Sequence, residues 1–184
     1  MRKDFGVKAW LYPQMVLIIG TYDVNGKANA MNAAWGGMYD YDKVVIALSK
    51  HQTTENLKVS KAFSLSFGTK ETVVASDYVG VVSGLKEPNK IEKAGLTVIK
   101  SNKVNAPLFE EFPLALECEV EKFDEDEGVL IGKIINVSAD ESIIENGKIN
   151  TDKLNAIVFD PINAKYRVVK EAVADAFKVG FTIK

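Results

Sequence analysis

MVLIIGTYDVNGKANAMNAAWGG, Met15 to Gly37, decides the fold. An apolar run reaches Asp23-Val24-Asn25-Gly26 and a second run follows, which predicts a β-hairpin. Asn-Gly is expected to supply the positive φ angles of the turn. The return arm is unusual because it carries Ala, Asn and Met where branched residues normally sit. Strand alternation would put Ala28, Ala30, Asn32 and Ala34 on one side and Asn29, Met31, Ala33 and Trp35 on the other. Small side chains let a flat ligand approach the backbone, and each Asn adds a donor and an acceptor. Close packing against a crowded neighbour, such as a dimer seam, would equally explain them.

Outward from the hairpin, KVVIALS (Lys43–Ser49) reads as a strand buried on both faces. TTENLKVSKA begins a short helix with hydroxyls at its N-cap. FSLSF (Phe63–Phe67) alternates as a strand, and ETVVASDYVGVVSG reads as a helix ending near Gly84. PNKIEKA places Pro88 in the first turn of another helix, which Gly95 stops. LTVIKS is a strand. PLALECEVEKF sets Leu114, Leu116, Cys118 and Val120 against a wet face of Glu117, Glu119 and Glu121. EDEG turns into the strand VLIGKIINVSAD, ENGK is a tight turn, TDKLNAIVFD is a further short element, and a terminal helix is expected around Glu171–Phe177. Strands dominate and hairpin spacing prevails, so a mainly β, closed or nearly closed antiparallel barrel with helical insertions fits, as one domain over residues 1–184. No dinucleotide or P-loop glycine pattern is present.

A formal net charge of -2 provides no broad basic field, which argues against nucleic acid and anionic membranes as partners. No run approaches the roughly 20 apolar residues of a membrane span. The segment before Met15 lacks the apolar stretch of a signal peptide. One Cys and one His exclude a disulfide framework and a His/Cys metal cluster within the chain. The resulting expectation is a cytoplasmic protein.

SKHQTTENL (Ser49–Leu57) runs from a strand into a helix start. Its free amides, with Ser49, Lys50, His51, Thr53 and Thr54, would make a phosphate cradle, unless Thr53 or Thr54 only caps the helix. A ring platform on one strand and an anion cradle after the next would suit FMN. Lys86 or Lys90 could reach the same mouth, although Lys86 reads better as a surface lysine. Cys118 reads as inert core, DEDEG as a solvated turn, and nothing places His51 beside a nucleophilic serine. A barrel without flavin, or with haem ligated by His51 or Met, is a further alternative.

Taken in order, YPQMVLIIGTYDVNGKANAMNAAWGG, ALSKHQTTENLKVSKAFSLSF, YVGVVSGLKEPNKIEKAGL and APLFEEFPLALECEV resemble the flavin reductase-like, FMN-binding split-barrel family, most closely its flavoredoxin branch. The likeness runs from Tyr12 to Val137, with an echo in AFKVG. It implies a six-stranded antiparallel Greek-key split barrel, a homodimer, and FMN near the subunit interface. It implies that Asn29, Ala30, Met31 and Asn32 line the ring and ribityl arm, with Trp35 beside them. Ser49, Lys50, His51, Thr53 and Thr54 would surround the phosphate. Lys90 corresponds to the basic residue closing the family's SGR-type stretch, where this chain has Leu85 for the arginine and Ile91 for an aromatic. Some members carry a cysteine after the Trp-Gly-Gly; Met38 and Tyr39 stand there, so no thiol chemistry is implied. The implied function is an NAD(P)H:flavin oxidoreductase passing hydride to FMN. The alternative is a flavoredoxin-like electron carrier that takes electrons from a redox-partner protein.

Overall fold

The computed structural model describes residues 1–183. In chain order the strands and helices are β1 Gln14–Met15, β2 Leu17–Tyr22, β3 Ala28–Ala33, β4 Gly36–Asp40, β5 Lys43–Ala47, α1 Gln52–Ser60, β6 Ala62–Phe67, α2 Val73–Val81 and α3 Lys90–Lys93. They continue with β7 Val98–Lys100, β8 Pro107–Phe109, β9 Leu114–Asp124, β10 Val129–Ala139, β11 Ile144–Glu145, β12 Lys148–Ile149, α4 Thr151–Leu154, β13 Ile157–Asp160 and β14 Lys165–Val168. The main sheet is antiparallel, in the order β3-β2-β6-β9-β10-β5-β4. Its two edges, β3 and β4, are consecutive in the chain and separated only by Ala34 and Trp35. The Ala47 amide donates to the Trp35 carbonyl at 2.8 Å, so the chain passes from β2 as partner to β5 within this bend. Counted as one bent strand, β3 and β4 complete the expected six-stranded split barrel.

The barrel interior holds Leu17, Ile19, Met31, Val44, Ile46, Phe63, Leu65, Cys118 and Leu130. Each fully buried aliphatic or aromatic side chain there contributes roughly 1.5–3 kcal/mol. Gly132 leaves room for the largest of them, since a Cβ at that position would stand 2.3 Å from the Phe63 ring. A second cluster lies outside the wall, where Val16, Ile18 and Ala30 pack against Val79 of α2, with Leu96, Phe109 and Ile157. This is why β2, with Leu17 to Thr21 all buried, reads as so continuously apolar.

Several expectations are corrected. Of the Asn-Gly pair only Gly26 takes a positive φ, at 75°, because the loop is a turn closed from Gly26 N–H to the Asp23 carbonyl, with the Asp23 carboxylate receiving the amides of Asn25 and Lys27. The strand covered on both faces is β2, not β5; β5 buries Val44 and Ile46 and leaves Ala47 exposed. Pro88 lies outside its helix, which Asn89 precedes. Glu117 is not on a wet face: it is 2 % exposed, held by the Ser101 hydroxyl and by Asn136 Nδ2 at 2.6 Å. The segment after Ser101 folds over that face of β9, and a buried carboxylate requires such partners. No helix spans Glu171–Phe177; that stretch is exposed, without an apolar face against the barrel, and a short 3-10 turn follows at Val179–Thr182. Among the described residues no helix is long and apolar enough to cross a membrane.

Candidate functional site

β3 is an edge strand, so alternate residues turn their N–H and C=O groups away from β2. Three neighbouring residues of this strand each hold a different helix. Asn29 Nδ2 donates to Thr53 Oγ1 of α1 at 2.9 Å, Lys90 Nζ of α3 donates to the Ala30 carbonyl at 2.7 Å, and Asn32 Nδ2 donates to the Ser76 carbonyl of α2 at 3.0 Å. A further bond, from Asn56 Nδ2 to Thr21 Oγ1 at 3.0 Å, ties α1 to β2. Close approach needs small groups on the facing side. A Cβ on Gly80 would meet Asn32 Cβ at 3.0 Å, and one on Gly84 would meet Asn29 Oδ1 at 2.7 Å.

Between these elements lies a cavity of about 440 Å³, a size typical of cofactor pockets. One wall is β3 and the bend: Asn29, Met31, Asn32, Ala33, Ala34 and Trp35. Ala47, Leu48 and Ser49 form the floor, and the end of α2 through Gly84 forms the facing side. His51, Gln52 and Thr53 supply the start of α1, and Lys90 also lines the cavity.

Chain geometry explains the anion end. His51, not a threonine, is the N-cap of α1, with extended φ and ψ. Thr54 sits at the third helical position, where its hydroxyl accepts from the His51 amide at 3.0 Å and donates to the His51 carbonyl at 2.8 Å. The amides of Thr54 and Glu55 also point to the His51 carbonyl. The amides of Gln52 and Thr53 are left at the open helix start, where the dipole favours negative charge.

Eight of the eleven expected site residues therefore line one cavity: Asn29, Met31, Asn32, Trp35, Ser49, His51, Thr53 and Lys90. Three do not. Ala30 turns its methyl into the outer cluster, and only its carbonyl meets Lys90. Lys50 points to solvent. Thr54 is spent on its own helix turn. Gln52, Ala47 and the stretch Val79–Val82 were not singled out as site residues in the sequence, whereas Ser83 and Gly84 open the SGLKEPNK stretch that was. The small residues Gly80 and Gly84 are a local signal for that wall. Trp35 is 59 % exposed, beside the exposed Met38, Tyr39 and Tyr41. Cys118 takes no part: it is fully buried and desolvation pushes its thiol up to about 12.

A barrel split at a bent strand, with a polar helix start and a run of small residues around one cavity, defines the split-barrel class of fold. The flavin reductase like domain matches residues 9–155, and the chain belongs to the flavin reductase-like family. Flavoredoxin of Desulfovibrio vulgaris (Miyazaki F) superposes with a TM-score of 0.93 at 32% identity, covering 98% of this chain and 100% of that one. Flavoredoxin from Methanosarcina acetivorans gives 0.88 at 25% identity over 100% of both. An uncharacterized protein of Archaeoglobus fulgidus is 32% identical over 136 residues, 70% of this chain and 74% of its own length.

Lys90 is 4 % exposed, and burial brings its ammonium down to about 8. Between about 8 in the folded chain and the ordinary lysine value of about 10.4, only the unfolded chain keeps the proton. Stability therefore rises with pH across that window, while the burial penalty is present in full below it. Urea unfolding at a series of pH values is expected to show the protein gaining stability there relative to Lys90→Met; a constant difference between the two would contradict the assignment.

Proposed function

We propose that this chain binds FMN in the cavity between β3, α1 and α2 and acts as a flavin-dependent oxidoreductase reduced by NAD(P)H. The observation carrying this reading is that one cavity joins an amide-rich helix start to a wall of small residues along an unpaired strand edge. The donor set fits a phosphate: the Gln52 and Thr53 amides with Ser49, His51 and Thr53 side chains, all neutral or weakly basic. The wall fits a flat ring: Ala33, Ala34 and Ala47 leave backbone within reach, and outward N–H and C=O groups of β3 can pair with a polar ring edge. Membership in the flavin reductase-like family supports the same cofactor. Bound FMN would supply a ring able to accept a hydride or single electrons. The protein's own part is to bind, orient and screen it.

A second reading, an electron carrier without productive NAD(P)H binding, draws on two observations. The likeness to the two flavoredoxins runs over nearly the whole chain. The loop bearing Leu85, 72 % exposed, presents an apolar residue where the family resemblance has an arginine.

Mixing FMN-loaded protein anaerobically with NADH or NADPH separates the two. Bleaching of the flavin absorbance within seconds is expected for the oxidoreductase. A flavin that stays oxidised with both nucleotides, yet accepts electrons from a reduced protein donor, contradicts it and favours the carrier. The threonines provide a test of the binding end. Thr53→Val is expected to weaken FMN binding about ten-fold, or about 1.4 kcal/mol. Thr54→Val should instead lower stability by about 1 kcal/mol with affinity nearly unchanged. Calorimetric titration and urea unfolding read the two quantities, and equal affinity losses would contradict the assigned division of roles.

A further inference from the structure

Lys90 is set apart from the other lysines by its surroundings. Its side chain is buried, yet it lines both the main cavity and a smaller one of about 130 Å³ next to it. The one hydrogen-bond partner of its ammonium among the described residues is a neutral carbonyl, that of Ala30. The adjacent carboxylate is not available to it: Glu87 pairs with Lys93 at 2.5 Å and accepts from the Asn89 amide at 3.0 Å. A lysine without an acidic partner, shielded from water but open to a cavity, is the setting in which an amine becomes a nucleophile.

We propose that Lys90 is a reactive amine that takes phosphorylated aldehydes, forming an imine inside the cavity. The amine nitrogen attacks the carbonyl carbon, a proton moves to the oxygen, and water leaves as the C=N bond forms; no oxidant or reductant is required. Burial supports the chemistry, since the ammonium comes down to about 8 and a usable fraction of free amine exists near neutrality. The preference for phosphate rests on the anion-binding reading of the α1 start; the reactivity of the amine does not. The two functions would compete, because the aldehyde and FMN would share the cavity.

The probe is pyridoxal 5′-phosphate, with pyridoxal as its uncharged counterpart, trapped by borohydride and located by peptide mass mapping. Expected is a single dominant adduct on the peptide holding Lys90, formed at least ten-fold faster by the phosphorylated aldehyde. It should vanish in Lys90→Arg, which keeps a cation and donors, and in Lys90→Gln; circular dichroism shows whether each variant remains folded. Adducts spread over exposed lysines such as Lys50 and Lys86, unchanged by Lys90→Arg, would overturn the proposal. Equal rates with both aldehydes would overturn its phosphate half. Labelling of Lys90 that FMN fails to slow supports the amine assignment and counts against the flavin reading, so the two fail separately.

Discussion

Closing the barrel at Ala34 and Trp35 imposes the constraint on which the remaining architecture rests. A strand that leaves β2 and joins β5 within two residues must bend sharply, and the Ala47–Trp35 hydrogen bond holds the bend shut. Bulky side chains before it would meet the helices that cover the wall. Small residues there satisfy the bend and, at the same time, admit three helical anchors along β3. Each of those hydrogen bonds contributes only about 0.5–1.5 kcal/mol net, but together they set where α1, α2 and α3 stand. The cavity is what remains between them.

The same economy explains why the residues lining the cavity come from distant parts of the sequence. Asn29 and Thr53 meet across 24 positions and Lys90 and Ala30 across 60. A polar group on β3 thus serves twice, fixing a helix and lining the pocket. Rigid elements carrying site residues keep their geometry better than loops would. On the proposed reading, bound FMN would carry the chemistry and the protein would position it.

Much of this was legible in the chain. The hairpin, the alternation of Phe63, Leu65 and Phe67 and the Asn146-Gly147 turn follow from local rules and appear where those rules place them. The expected short helix forms with its start moved back to Gln52 and with His51, not a threonine, as its N-cap. What local rules missed was set by neighbours distant in sequence. Glu117 looked solvated because its alternation matched Glu119 and Glu121, but the segment after Ser101 covers it. Lys43–Ser49 looked doubly buried because its residues are apolar, yet only one face has a covering layer. The expected helix at Glu171–Phe177 had propensity but no packing partner, and short helices need one. At the site, Thr53 and Thr54 were indistinguishable in sequence; tertiary contact with Asn29 separates them.

In the proposed FMN site, donors at the start of α1 would take a phosphate and the small-residue wall of β3 a flat ring. Comparing the affinities of FMN and riboflavin for the purified protein, by flavin fluorescence quenching at fixed ionic strength, tests both ends at once. Both are expected to bind, FMN at least ten-fold more tightly. Equal affinity for the two would contradict the anion end, and failure of both to bind would contradict the cavity's assignment to flavin.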